Sequence, residues 1–218
     1  MSRLDRNRRP SRKLAQGTRI LVVVEGQVTE REYIETVRRS LRIGKESIYI
    51  EAGRTEPIGI VNRAKAIQGD LPKPDKYDQV WCVFDVEAKI GQRARFGLVE
   101  ALDSARRTRN RQDVKCAVSN PCFEIWLLWH TTDQTAPVAS DVVQRRCQDR
   151  GITFGQDGKH LQDADRLIVN GFPAARERAI LMEDIHDRNG TTSPEDRIPS
   201  SGVFKLINAI YDAFPSRG

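Results

Sequence analysis

The chain has 218 residues, enough for one medium domain with an appendage or for two small ones. Charged residues make up 30% and aromatic residues 6%, and no apolar run approaches the roughly 20 residues of a membrane span, which excludes a fibre and a membrane-crossing helix. The net charge of +6 is uneven: Arg3, Arg6, Arg8, Arg9, Arg12 and Lys13 against Asp5 supply most of it, so the rest of the chain is nearly neutral.

The opening MSRLDRNRRPSRK is therefore either a solvated tail or a mobile phosphate-binding arm, and it leads into no signal-peptide apolar core. Residues 19–24 form a continuous β-branched run, which predicts a strand buried on both faces and ending at Glu25-Gly26. Thr29 and Glu32 have the spacing of a capping box and open a helix whose apolar face is Tyr33, Ile34, Val37 and Leu41. A second strand is expected at 48–50 and a second helix at 57–68, followed by a Pro-rich loop from Leu71 to Pro74. The third strand, 79–84, ends at Asp85-Val86-Glu87 and precedes an Arg-rich helix near 92–109. The basic stretch Arg93 to Lys115 is either a solvated helix face or a surface turned to substrate.

A fourth strand, 114–118, ends at Ser119-Asn120-Pro121, with Asn120 as N-cap and Pro121 opening a helix from Cys122 to His130. The alternation then fades. Residues 140–150, 159–169 and 173–187 read as helices, 189–202 as a polar loop, and 203–214 as a last amphipathic helix. Strand and helix alternating at this spacing predict an α/β fold with a mostly parallel sheet and helices on both faces. The expected organisation is a basic tail (1–17), an α/β domain (18–135) and a mainly helical part (136–218).

Acidic or amide residues follow three of these strands. In a parallel sheet the carboxyl ends of the strands share one edge, where ligands bind. Glu25, Asp85 and Glu87 would converge there, and converging carboxylates suit a hard divalent cation, Mg²⁺ or Mn²⁺. If the backbone stays extended, Asp85 and Glu87 point to one side. Glu124 lies among Phe123, Trp126 and Trp129 and needs a partner there. Glu30, Glu32 and Thr29 are explained by capping and the helix dipole, and His130 by the end of its helix. His160 and His186 have no acidic or cysteine partner at ligand spacing. Lys159 is a candidate phosphate contact. Cys82, Cys116, Cys122 and Cys147 include no Cys-x-x-Cys pair, which disfavours zinc and fits free thiols in a reducing compartment. No P-loop, Gly-x-Gly-x-x-Gly or Gly-x-Ser-x-Gly motif is present.

Val24-Glu25-Gly26 with Thr29-Glu30 and Tyr33, and then Phe84-Asp85-Val86-Glu87, resembles the Toprim domain. Ser119-Asn120-Pro121-Cys122-Phe123-Glu124 is similar to the signature of the RloB-like family, as is the later Ile198-Pro199-Ser200-Ser201 segment. The resemblance implies a Toprim-like fold and a Mg²⁺-dependent nuclease of anti-phage abortive infection, a family often encoded beside an ATPase partner; the lack of a membrane span and of a signal-peptide core reads as cytoplasmic. It assigns proton transfer and metal proximity to Glu25, metal binding to Asp85 and Glu87 (Glu87 standing where the pattern has Asp), and phosphate contact to Lys159. Asn120 and Glu124 would support the site. The competing expectation is a non-catalytic module that binds an ATPase partner or nucleic acid.

Overall fold

Five consecutive β-branched or aliphatic residues, Ile20–Val24, form the central strand β1, and each is fully buried because the sheet is covered on both faces. Burying one such side chain is worth about 1.5–3 kcal/mol, so β1 anchors both layers of the fold. In the computed structural model, the described residues are 17–53, 56–87, 97–107 and 113–215. The basic tail and much of the stretch from Arg93 to Lys115 lie outside them.

In chain order the elements are β1, α1 (Thr29–Ser40), β2 (Ile48–Ala52), α2 (Pro57–Asp70), β3 (Gln79–Asp85), α3 (Leu98–Arg106), β4 (Val114–Asn120) and α4 (Glu124–Leu128). They continue with α5 (Ser140–Asp149), β5 (Thr153–Phe154), β6 (His160–Leu161), α6 (Ala164–Arg188), β7 (Ser200–Ser201) and α7 (Val203–Ala213). The main sheet has the order β2-β1-β3-β4-β7, parallel except for β7, which runs antiparallel to β4. The expected α/β architecture is present. From β1 the chain moves outward to β2 and then returns to place β3 on the opposite side. The carboxyl ends of β1 and β3 therefore flank the point where strand order reverses, the usual ligand crevice of an open α/β sheet.

Alternation along β1 divides the core. Ile20, Val22 and Val24 join Tyr33, Phe123, Trp126 and the apolar faces of α5, α6 and α7. Leu21 and Val23 join Ile60, Val61, Leu98 and Ala101 from α2 and α3. Residues on both sides of the expected boundary at 135 thus share one core, and β7 extends the sheet itself. Among the described residues, no helix is long and apolar enough to cross a membrane.

Several local expectations are corrected. The capping box does not form: Val28 occupies the N-cap without a side-chain bond, and Thr29 and Glu32 bond instead to the distant residues 159–161. Asn120 ends β4 rather than capping a helix, and α4 starts at Glu124. The helix expected at 159–169 is a β-hairpin strand followed by α6, which continues through Pro173 as one helix of 25 residues. The polar loop contains β7, too short to carry a periodic signal.

Candidate functional site

The end of β1 lies beside the end of β3, with Val24 opposite Val83, so Glu25 falls next to Asp85. The Glu25 amide donates to the Val83 carbonyl at 3.1 Å, and the Asp85 amide donates to Glu25 Oε2 at 3.3 Å. Gly26 follows directly, and its amide donates to Glu30 Oε1 at 3.2 Å. A side chain at Gly26 would collide with the Glu30 carboxylate, its Cβ falling 2.0 Å from Oε2. A side chain there would push this flexible carboxylate away from the Gly26 amide.

Asp85 is buried, and its Oδ1 has no hydrogen-bond partner. Burial raises its pKa well above the ordinary carboxylate value, and the neighbouring Glu30, Glu124 and Glu25 raise it further, against a hydrogen bond from the Phe123 backbone. Glu30 is likewise buried, and desolvation followed by Glu124 and Glu25 lifts it to about 7. Four carboxylates from β1, α1, β3 and α4 therefore act on one another across the switch point.

On the adjacent strand end, Asn120 is fully buried. Its Nδ2 donates to the carbonyls of Pro194 at 3.0 Å and Glu195 at 2.9 Å, which fixes the amide orientation and leaves Oδ1 without a donor. Beside it, Ser119 Oγ meets Ser201 Oγ of β7 at 3.0 Å. Two buried oxygens, Asp85 Oδ1 and Asn120 Oδ1, are thus unsatisfied at neighbouring strand ends. Such groups are destabilising unless a cation or a donor meets them.

Glu25, Asp85 and Glu124 act on one another electrostatically, while Asn120, at the end of the adjoining strand, is directed to the Pro194 and Glu195 carbonyls. Glu87 is placed differently. The strand ends at Asp85, Glu87 adopts a left-handed backbone (φ 49°), and its side chain is exposed while that of Asp85 is buried. The extended path that would align the two acids does not continue. Glu30 is the residue that sequence reasoning passed over. Its position in a first helical turn has a sufficient explanation in the dipole, and only the adjoining Gly26 hinted at a close approach.

Lys159 is exposed on the β5–β6 turn. Its carbonyl accepts from Thr29 Oγ1 at 2.8 Å, which ties this turn to the first turn of α1, the same turn that supplies Glu30. His160 does have an acidic partner, Glu32, whose Oε1 lies 2.7 Å from its Nδ1; the pair is 128 residues apart and invisible to local spacing. His130 is structural. The Trp126 carbonyl can only accept, so Nδ1 carries the proton at 2.9 Å and Nε2 accepts from the Tyr33 hydroxyl at 3.0 Å. Burial lowers its pKa to about 4, so it is neutral rather than a helix-end cation.

The donor set at the strand ends is all oxygen and suits a hard cation. Among the described residues, no group of three or more His, Cys, Asp or Glu side chains is disposed to hold a metal ion. Such a donor set would suit an ion that takes few protein oxygens and keeps most of its water. A cavity of about 810 Å³, lined by Ser40, Leu41, Ile43 and Phe214 among others, lies at the other end of α1 and has no part in this cluster.

A family model described as RloB-like protein matches residues 20–210, which takes in all seven strands. No curated protein and no solved structure matches.

Proposed function

The chain belongs to the RloB-like family, and on that footing we propose that it is a Mg²⁺- or Mn²⁺-dependent nuclease hydrolysing nucleic acid phosphodiesters, an effector of anti-phage abortive infection. The observation that carries the proposal is the unpartnered, buried Oδ1 of Asp85 among Glu25, Glu30 and Glu124 at the β1/β3 switch point. Mutually repelling carboxylates in a buried crevice are a poor structural choice and a good cation site.

In this reading Asp85 and Glu25 would hold the cation, with Asn120 Oδ1 and Glu124 on the adjoining strand and helix. When bound, the cation would supply charge neutralisation at the phosphate and a more acidic water. The protein's own groups do the rest. Glu25, half-buried at the rim, accepts the proton of the attacking water or returns one to the leaving oxygen. Glu30, with its pKa near neutrality, is a proton reservoir one hydrogen bond from Gly26. Lys159 meets the phosphate from the side of the hairpin. A cytoplasmic setting and an ATPase partner that triggers activity belong to the same proposal.

Calorimetric titration of Mn²⁺ into the wild-type chain and into Asp85→Asn tests this directly. Saturable binding lost in the variant, with Mn²⁺-dependent cutting of single-stranded RNA or DNA by the wild type alone, is the expected result. Equal binding by both proteins would overturn it. One observation favours a non-catalytic module instead: the acids are not closed around a common point. Nucleic acid affinity without turnover in saturating Mn²⁺, with the partner ATPase present, would identify that module.

A further inference from the structure

The β5–β6 hairpin is built with two unlike faces. Thr153 and Leu161 point into the protein and are buried, whereas their strand neighbours Phe154 and His160 are exposed. Phe154 and His160 are direct cross-strand partners, and their rings lie 5.7 Å apart with 41° between the planes. Phe154 is 51% exposed, one of few large apolar side chains so placed among the described residues. An exposed phenyl ring beside an imidazole on a two-stranded ribbon does nothing for the core.

The ribbon is also held still. The Leu161 amide donates to Glu32 Oε2 at 2.9 Å, Glu32 Oε1 holds His160 Nδ1, and Thr29 Oγ1 donates to the Lys159 carbonyl. All three bonds go to the first turn of α1, which also carries Glu30 of the carboxylate cluster. Cationic groups flank the rings. Lys159 precedes His160 at the tip, and at the root Arg150 and Arg166 line an open cavity of about 450 Å³ with Gly151, Ile152 and Gln162. Asp157 is turned to its own loop, where Oδ1 accepts from the Lys159 amide at 3.2 Å. Asp163 shares the root cavity and is the acid that faces it.

An exposed ring pair with cationic residues at the tip and the root of its hairpin matches the chemistry of unpaired nucleotides, whose bases stack on aromatic faces while the backbone follows positive charge. We propose that Phe154 and His160 form a base-stacking platform for single-stranded nucleic acid, with Lys159, Arg150 and Arg166 tracking its phosphates, and that this platform delivers the strand to the carboxylate edge. The inference deepens the nuclease reading by naming the substrate class as unpaired rather than duplex. It rests on that reading only for the word substrate, since the platform would bind without a metal.

The test is fluorescence anisotropy in EDTA with labelled oligo-U and oligo-dT dodecamers and a duplex of matched length, so that nothing is cut. The expected result is binding of the single strands over the duplex, about tenfold weaker with Phe154→Ala and retained with Phe154→Tyr. Comparison of the RNA and DNA arms then separates the two sources of unpaired bases. Phe154→Trp adds an exposed indole to a chain whose own Trp81, Trp126 and Trp129 are buried, and its emission should be quenched on binding. Unchanged affinity in Phe154→Ala, a duplex bound as well as the single strands, or no binding at all would overturn the platform. Because these measurements are made in EDTA, a failed platform leaves the carboxylate site to be judged on its own Mn²⁺ titration.

Discussion

The molecule buries titratable groups in two places, and it treats them in opposite ways. In the aromatic layer beneath β1, His130 has both ring nitrogens engaged, by the Trp126 carbonyl and the Tyr33 hydroxyl, and its ring packs edge-on against both aromatic rings. At the strand ends, Asp85 is as buried but keeps an oxygen with no partner, and three other carboxylates stand near enough to repel it. A buried group with every partner supplied helps fix a core, while an unmet oxygen next to a crevice is open to a ligand. The contrast is between these two groups rather than whole regions, since Trp126 Nε1 in the aromatic layer also has no partner.

The largest expected effect belongs to the aromatic layer. Trp126→Ala removes a fully buried indole that contacts Tyr33, His130 and Phe172 and should lower stability by about 4 kcal/mol in urea unfolding. A loss under 1 kcal/mol would mean that this layer is not the anchor of the fold.

Next comes the dependence on pH, where the two regions have opposite signs. Glu30 is raised from 4.5 to about 7, so its contribution is fully present below pH 4.5 and is lost as pH rises to about 7. His130 is lowered from 6.5 to about 4, so its contribution is present above pH 6.5 and is lost as pH falls to about 4. Each is on the order of 3 kcal/mol, and between pH 4.5 and 6.5 they offset one another. Asp85, also raised well above the carboxylate value, adds to the Glu30 slope, so metal-free stability of the wild type should fall as pH rises through this window. Glu30→Gln should make that fall shallower, read from denaturant midpoints; a variant curve as steep as the wild type would break the comparison.

Asp85→Asn should weaken Mn²⁺ binding by roughly 100-fold or more while raising the melting temperature in metal-free buffer above neutral pH, because an amide removes a buried, repelled charge. A lower melting temperature would show that the carboxylate is satisfied after all. The smallest effect is expected at Glu87. Its exposed carboxylate lies past the strand, so Glu87→Gln should change Mn²⁺ affinity within about fivefold, and a larger loss would restore it as a ligand.

The sheet and the site were legible to different depths. Runs such as Leu21 to Val24 and Val80 to Phe84 are too apolar and β-branched to be anything but covered strands, and the polar residue ending each run marked the edge. That logic reached Glu25, Asp85 and Asn120. It could not reach Glu30, because a local capping explanation was sufficient, nor the tie between Glu32 and His160, which depends on a fold-back of 128 residues. The expectation that Asp85 and Glu87 share a face through extended backbone fails because the strand ends at Asp85 and the backbone turns left-handed at Glu87.

The two carbonyls that hold Asn120 and the strand that closes the edge of β4 come late in the chain. Pro194 and Glu195 follow Asn120 by 74 and 75 residues, and Ser201 follows Ser119 by 82. A ribosome adding 5–20 residues per second needs about 4–15 seconds to cover that interval. Throughout it the nascent chain holds all four carboxylates but has a bare β4 edge and an untethered Asn120. The strand-end cluster thus reaches its final geometry only when the chain's own downstream sequence folds back onto the sheet.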